Sequence, residues 1–278
     1  MSPAATAEQR AAVTGPGTQA VETVPAPRRR ILGSGWTAVV PWAAVLLLWQ
    51  AIGMIWPPAL YLLSSPTEVA SQLWTWLSGP VWPDIGVTVR SAAIGYVLGV
   101  LAACLMIMLI MPSAFLRDFV RPFVVLLNAI PQVAIAPVYI LWFGIGVKAS
   151  VVFVITAIFL IVFLNLYAGI EAIDPIYAMN ARSLGATPAV LIREVYVPAA
   201  FGWLMTSLKV AAAWAILGAS LAEYLAGTSG LGHLMMRGSI LAEARQVAAA
   251  ATILALLGVL ANVILGRVEA RYSKWRIF

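Results

Sequence analysis

The chain has 278 residues, of which 62% are hydrophobic and 10% charged, and it carries a net charge of +6. Soluble domains typically contain about 25% charged residues, so this composition excludes an ordinary water-soluble domain and requires a lipid-facing surface. A net positive charge would suggest a nucleic-acid partner in a soluble protein, but here the basic residues have first to be placed relative to membrane spans.

Residues 1–35 contain few large apolar side chains and cannot bury enough surface to offset the entropy of ordering. They are predicted to form a disordered cytoplasmic tail. Arg28, Arg29 and Arg30 then precede an apolar run, as in the basic region of a signal peptide. The run from Trp36 to Trp56 lacks a convincing small-x-small cleavage site, so we expect a retained anchor rather than a cleaved signal.

Apolar runs long enough to cross a membrane recur along the rest of the chain. A helix needs about 20 apolar residues to span the hydrocarbon core. Uncharged runs of that length lie at 36–56, 91–111, 122–147, 149–170 and 246–266. A sixth run, 195–222, is uncharged except for Lys209. The sequence therefore predicts an all-α membrane protein of six transmembrane helices, with residues 36–278 as its transmembrane domain.

The third run contains Pro131 and Pro137, with Asn128 and Gln132 close to them. A proline removes a backbone hydrogen bond inside a helix and leaves a carbonyl group free. We therefore expect a kinked helix, and the polar side chains of Asn128 and Gln132 are candidates for lining a translocation path.

The basic residues are divided unevenly between the two sides that six spans define. Lys and Arg accumulate in short cytoplasmic segments. If the N-terminal tail is cytoplasmic, twelve of the seventeen Lys and Arg residues fall on that side, and only Lys148, Arg237 and Arg245 fall on the other. Arg90 and Lys209 lie at or within spans. Both ends of the chain are therefore predicted to be cytoplasmic.

The largest predicted cytoplasmic loop, residues 171–198, has its own helix signals. Asp174 is a good N-cap and Pro175 suits the first helical position. Gly185 can end that helix in the left-handed conformation. Thr187 and Pro188 repeat the start signal, which predicts a second short helix, and Pro198 marks the entry into the fifth span.

Within this loop, Met179-Asn-Ala-Arg-Ser-Leu-Gly185 followed by Val195-Tyr-Val-Pro198 resembles the E-A-A-x-x-x-G-(nine residues)-I-x-L-P signature of ABC importer permeases. In that family the loop is a coupling helix that docks on a cytoplasmic ATPase. The resemblance carries this role to Met179, Asn180, Ala181, Arg182, Leu184, Gly185 and Pro198. Met179 and Asn180 depart from the usual Glu and Ala. The missing Glu would either weaken docking or be replaced by Glu171 or Glu194 nearby.

Three further segments resemble the nitrate, sulfonate and taurine branch of these permeases over roughly residues 60 to 278. They are Leu63-Ser-Ser-Pro66, Ile140-Leu-Trp-Phe-Gly-Ile-Gly146 and Glu223 to Gly232, and Ala181 to Ala186 fits the same branch. The resemblance implies a permease of the bacterial inner membrane that moves a small solute, an organic or inorganic anion such as a sulfonate, taurine or nitrate. A separate extracytoplasmic binding protein would deliver that solute.

Lys209, Glu223, Gly230 and Gly232 are the remaining candidates for the path or gate. A charge in mid-membrane costs about 2.5–3.5 kcal/mol on insertion scales, so Lys209 should face the bundle interior or pair with a carboxylate or carbonyl group. Glu223 and the two glycines follow the fifth span on its outer side, where they form either a gate beneath the binding protein or an uneventful Gly-rich loop.

The chain contains no G-x-x-x-x-G-K-[ST] sequence, so it is not expected to be an enzyme or to hold a cofactor. ATP and Mg²⁺ would be bound by a partner ATPase dimer. The lone His233 and lone Cys104 predict no metal site. Because six spans enclose little alone, a homodimer is the simplest assembly, with a paralogous heterodimer as the alternative.

Three other functions compete with this one. An ion-coupled secondary transporter also uses proline-broken spans, but no Asp or Glu lies inside the six runs, and Glu223 is at an end. Gly227-Thr-Ser-Gly230 with His233 superficially matches an intramembrane serine protease, whose base would lie on a separate span. A ligand-free structural membrane protein would leave the helix signals of 174–198 unexplained.

Overall fold

The computed structural model describes residues 36–55, 64–111 and 113–272, and these ranges contain helices and no strands. The predicted disordered tail, residues 1–35, lies outside them. The chain divides into two units, 1–45 and 46–278, and the description below concerns the second. The helices are α1 (Trp36–Ile55), α2 (Pro66–Leu77), α3 (Trp82–Ile110), α4 (Ala114–Ala129), α5 (Gln132–Phe143), α6 (Val147–Glu171), α7 (Pro175–Ser183), α8 (Pro188–Leu191), α9 (Val197–Ala226), α10 (Leu231–Ile240) and α11 (Ala244–Tyr272). The all-α prediction is confirmed.

Four stretches of the described residues are long and apolar enough to cross a membrane: Trp82–Ile110, Val147–Glu171, Pro188–Ala226 and Ala244–Glu269. A fifth is obtained if the bent pair of α4 and α5 is counted as one span. The first predicted span corresponds to α1, whose apolar part, Val40–Ile55, is shorter. The count of six therefore stays a prediction, whereas a multi-pass helical protein is established.

Helix α6 forms the centre of the bundle, with α3 packed on one side and α9 on another. It contributes fully buried side chains such as Val154 and Ile158. A Cβ on Gly95 of α3 would lie 2.4 Å from Val154, and one on Gly99 would lie 2.8 Å from Ile158. Two small residues four positions apart thus let the α3 and α6 backbones approach closely, as is common between membrane helices.

The expected single kinked helix over 122–147 is wrong, because the structure has two separate helices there. Their axes are bent by 95°, and Ile130 between them is extended, with φ −83° and ψ 120°. Pro131 lacks an N–H and disfavours the helical conformation of the residue before it, so the helix ends at that point. Pro137 is tolerated inside α5.

The second short helix of the loop also differs from the expectation, since it does not end before the fifth span. Helix α8 continues through a π-helical turn, Ile192–Tyr196, directly into α9. The Val197 N–H donates to the Ile192 carbonyl, five residues back. Pro198 has no N–H to offer the preceding turn, and the widened turn lies immediately before it.

Candidate functional site

The loop between α6 and α9 forms the predicted helix-turn-helix. Asp174 is the N-cap of α7, where its Oδ1 accepts a hydrogen bond of 2.9 Å from the Ile176 N–H, and Pro175 is the first helical residue. Thr187 caps α8 in the same way through the Val190 N–H. No residue from 171 to 190 is buried, so the hairpin is accessible up to Leu191, the buried residue that ends α8.

Gly185 makes the turn that ends α7. Its φ is +83°, the Ala186 N–H donates to the Ala181 carbonyl at 3.0 Å, and the Gly185 N–H donates to the Arg182 carbonyl at 2.9 Å. These two bonds are the Schellman pattern of a helix end, which favours glycine. No atom lies within 4 Å of a Cβ built on Gly185, so the backbone conformation alone requires glycine.

The exposed surface of the hairpin is largely apolar. Leu184 is 89% exposed, Tyr177 is 62% exposed and Met179 is 61% exposed. Asn180 and Arg182 are also exposed, while Ala181 is half-buried. An apolar surface with polar neighbours suits docking on another protein.

Both carboxylates that could replace the missing signature glutamate have a basic neighbour in this chain. Glu194 lies 3.5 Å from Arg193, and Glu171 lies 3.9 Å from Arg121. All four side chains are substantially exposed, so these pairs are weak and leave the carboxylates accessible.

At the far end of α9, Glu223 is 1% exposed and accepts two hydrogen bonds on Oε2. The Thr88 hydroxyl donates at 2.7 Å and the Gly232 N–H at 3.2 Å. Nearby, Asp84 Oδ1 accepts from the Gly230 N–H at 2.6 Å, and the Leu231 N–H donates to Thr88 Oγ1 at 2.9 Å. These bonds join α3, α9 and the first turn of α10; we call Asp84, Thr88, Glu223, Gly230 and Gly232 the carboxylate latch.

Gly230 and Gly232 of the carboxylate latch lie so close to neighbouring atoms that a side chain would not fit at either position. A Cβ on Gly232 would lie 1.9 Å from the Ser220 carbonyl oxygen, and one on Gly230 would lie 2.4 Å from the Glu223 carboxyl group. Gly230 also has φ +101°. Sequence reasoning grouped Glu223 with these glycines but missed Asp84 and Thr88, whose spacing of four on α3 was the available signal.

The other predicted path residues lie apart from the carboxylate latch. Lys209 Nζ is 3.5 Å from Glu269 Oε2 on α11, which is the carboxylate pairing considered above. Gln132 is half-buried at the first position of α5, and Asn128 lies in α4 but its side chain is outside the described part. Among the described residues, no hydrogen bond or ion pair connects Gln132 or Lys209 to the carboxylate latch.

The geometry adds no support for the intramembrane serine protease alternative. His233 is on α10, its Nδ1 is buried without a partner, and no hydrogen bond joins it to Ser229 in the described part of the chain. Over the same residues, no group of three or more His, Cys, Asp or Glu side chains could hold a metal ion.

Comparison with known proteins identifies relatives over most of the chain. The family of binding-protein-dependent transport system inner membrane components matches residues 95–274. The formylaminopyrimidine transport permease protein ThiX of Halalkalibacterium halodurans is 27% identical, over 84% of this chain and 92% of its own. The taurine transport system permease protein TauC of Escherichia coli is 25% identical, over 84% and 87%.

A solved structure has a similar fold. The MetNI methionine ABC transporter in an inward-facing conformation matches with a TM-score of 0.54 and 20% identity, over 71% of this chain and 96% of that one. At this identity the likeness concerns the arrangement of helices, and it agrees with the bundle described above.

Proposed function

Because this chain belongs to the family of binding-protein-dependent transport system inner membrane components, we propose that it moves a small anion, such as a sulfonate, taurine or nitrate. Membership makes the chain a permease subunit of an ABC importer in the inner membrane. We further propose that residues 36–278 form its transmembrane domain and that a second copy completes a homodimer around a shared path.

The hairpin of α7 and α8 is the observation that carries the assignment of partners. It is exposed apart from Leu191 at the end of α8 and a few half-buried residues, it has a defined turn at Gly185, and its surface is apolar at Leu184, Tyr177 and Met179. We propose that it docks on an ATPase dimer that binds ATP and Mg²⁺. Helix α8 continues into α9 without a break, so displacement of the hairpin would be passed to a membrane span.

At the opposite end of α9, the carboxylate latch is proposed to act as the gate on the side of the binding protein. Its hydrogen bonds join α3, α9 and α10 around one buried carboxylate. The three helices can move apart at this end only if those bonds break together. The proposal assigns Glu223, Gly230 and Gly232 to holding the closed gate.

Support for an anionic substrate comes from the taurine permease relative and from the resemblance of several segments to the sulfonate branch. Arg90 is exposed on α3 and would attract an anion. Lys209 lends no support, because Glu269 neutralises it. Since the ThiX relative is named for a formylaminopyrimidine, a neutral heterocycle is the competing substrate class.

Affinity purification of the tagged chain from its host in a mild detergent tests the proposed partners. We expect a P-loop ATPase and a solute-binding protein to be recovered with it. Recovery of the chain with no ATPase, together with transport that needs no ATP, would contradict the proposal.

The substrate class is tested with the recovered complex in liposomes. Binding-protein-dependent stimulation of ATP hydrolysis is measured with taurine, an alkanesulfonate, nitrate or formylaminopyrimidine. We expect one of the anions to stimulate hydrolysis. Stimulation by formylaminopyrimidine alone would replace the anion by a heterocycle and leave the permease assignment intact.

A further inference from the structure

A buried tyrosine joins the end of α6 to the beginning of α4. Tyr167 is 6% exposed, and its hydroxyl donates a hydrogen bond of 3.1 Å to the Arg117 carbonyl oxygen. The Arg117 guanidinium in turn donates to the carbonyl oxygen of Met111, the residue that ends α3. Arg117 therefore links α3, α4 and α6 at one point.

A second, weaker contact lies one helical turn further along both helices. Arg121 is four residues after Arg117, Glu171 is four residues after Tyr167, and Arg121 Nε lies 3.9 Å from Glu171 Oε1. Residues four apart occupy the same helical face, so the two contacts form a single seam. The exposed ion pair contributes little by itself, and the buried hydroxyl is the principal bond.

This seam lies at the base of the hairpin. Glu171 is the last residue of α6, and Asp174, three residues later, caps α7. On its other side α4 leads to the bend at Ile130 and Pro131, and α5 begins there with Gln132. The principal packing partners of α4 in the described part of the chain are α6 and α3, the helices that Arg117 joins.

We infer that Tyr167 and Arg117 are positioning residues that pass displacement of the hairpin to α4 and, through the bend, to the beginning of α5. The inference rests on the proposed function and adds a second route to the one through α8 and α9. Arg117, which the sequence analysis counted only among the cytoplasmic basic residues, thereby gains a role in moving α4 and α5.

The experiment uses the complex with its ATPase and a reporter next to Gln132. Cys104, the only native cysteine, is replaced by alanine, and Val133→Cys supplies an exposed thiol on α5. Its rate of reaction with a membrane-impermeant maleimide is measured with and without ATP and vanadate. We expect nucleotide to change the rate in the parent protein.

In the Tyr167→Phe variant, which keeps the ring and removes the hydroxyl, we expect the nucleotide-dependent change to shrink by about fivefold, the factor one hydrogen bond is worth. ATPase recovery should be unchanged. Tyr96→Phe is the matched control, because the Tyr96 hydroxyl makes the same kind of bond, 3.0 Å to the Leu208 carbonyl, between α3 and α9. That control should retain the full change.

Two results in the variants would overturn the inference: a Tyr167→Phe response equal to that of the parent, or an equal loss in both phenylalanine variants, which indicates general destabilisation. A parent protein whose reporter ignores nucleotide would also overturn it, since α5 then does not move. Failure to recover any ATPase with the parent is a different outcome, which contradicts the proposed function itself.

Discussion

The two oxygens of Glu223 have different surroundings. Oε2 receives two donors, whereas Oε1 is buried without a partner in the described part of the chain. An acceptor at the Oε2 position is what Thr88 and Gly232 require, and an amide oxygen can supply it. A full carboxylate is therefore not needed to hold the bonds.

We predict that Glu223→Gln leaves stability close to that of the wild type, while Glu223→Ala lowers it by about 1–3 kcal/mol, because two buried donors lose their acceptor. Thermal unfolding of the detergent-solubilised protein measures the difference. Equal losses in the two variants would contradict the idea that an acceptor at the Oε2 position is sufficient to hold these bonds.

The charge of Lys209 within a predicted span is paired with Glu269. We predict that Lys209→Met leaves substrate-stimulated ATP hydrolysis within about twofold of the wild type, since the charge of Lys209 is already paired with Glu269 and is not free to bind a substrate. Glu269→Gln serves as the companion variant. A large loss of stimulation in Lys209→Met alone would return Lys209 to the translocation path.

At the scale of elements, the helix signals with a local physical cause were readable from sequence. The caps Asp174 and Thr187 and the turn at Gly185 are where those residue types place them, because each acts on its own neighbours. The structure adds a start signal of the same local kind that was not predicted: Ser65 is the N-cap of α2, Pro66 is its first residue, and Glu68 closes a capping box.

Features that depend on two distant segments were not readable. Thr88 is 135 positions from Glu223, and its spacing of four from Asp84 places the two on one helical face without indicating which segment they contact. The 95° break and the π-helical turn lie next to prolines that the sequence analysis noted. A proline predicts that a backbone hydrogen bond is lost, but the resulting angle depends on how the helices pack. The path residues Asn128 and Gln132 stay predictions for the same reason.

The N-cap of α7 provides a prediction at this scale. Asp174→Ala removes the acceptor for the Ile176 N–H and should destabilise the first turn of α7 by about 1 kcal/mol, which raises its hydrogen exchange about fivefold. Asp174→Asn keeps an acceptor and should exchange like the wild type. Unchanged exchange in the alanine variant would mean that the hairpin is held by other contacts.

For the whole molecule, the distribution of basic residues predicts that the hairpin and α2 lie on opposite sides of the membrane. Ser78→Cys, at the end of α2, and Ser183→Cys, at the end of α7, are both exposed sites for a thiol in a Cys104→Ala background. A membrane-impermeant maleimide should label only Ser78→Cys in spheroplasts. Labelling of Ser183→Cys instead would show that the chain has the orientation opposite to the predicted one.

The central claim is that this permease couples to its ATPase through the turn at Gly185. Gly144 provides a control outside the hairpin, because it also has a positive φ, +77° against +83°, and no atom lies within 4 Å of a built Cβ at either position. Valine rarely adopts a positive φ, so it strains the backbone at both positions, and at Gly144, where ψ is 174°, the strain is at least as large.

The most direct measurement is therefore recovery of the ATPase with tagged Gly185→Val and Gly144→Val, at equal abundance in the membrane. We predict that Gly185→Val loses the ATPase and that Gly144→Val retains it. Wild-type recovery with Gly185→Val, or equal loss in both variants, would contradict the account.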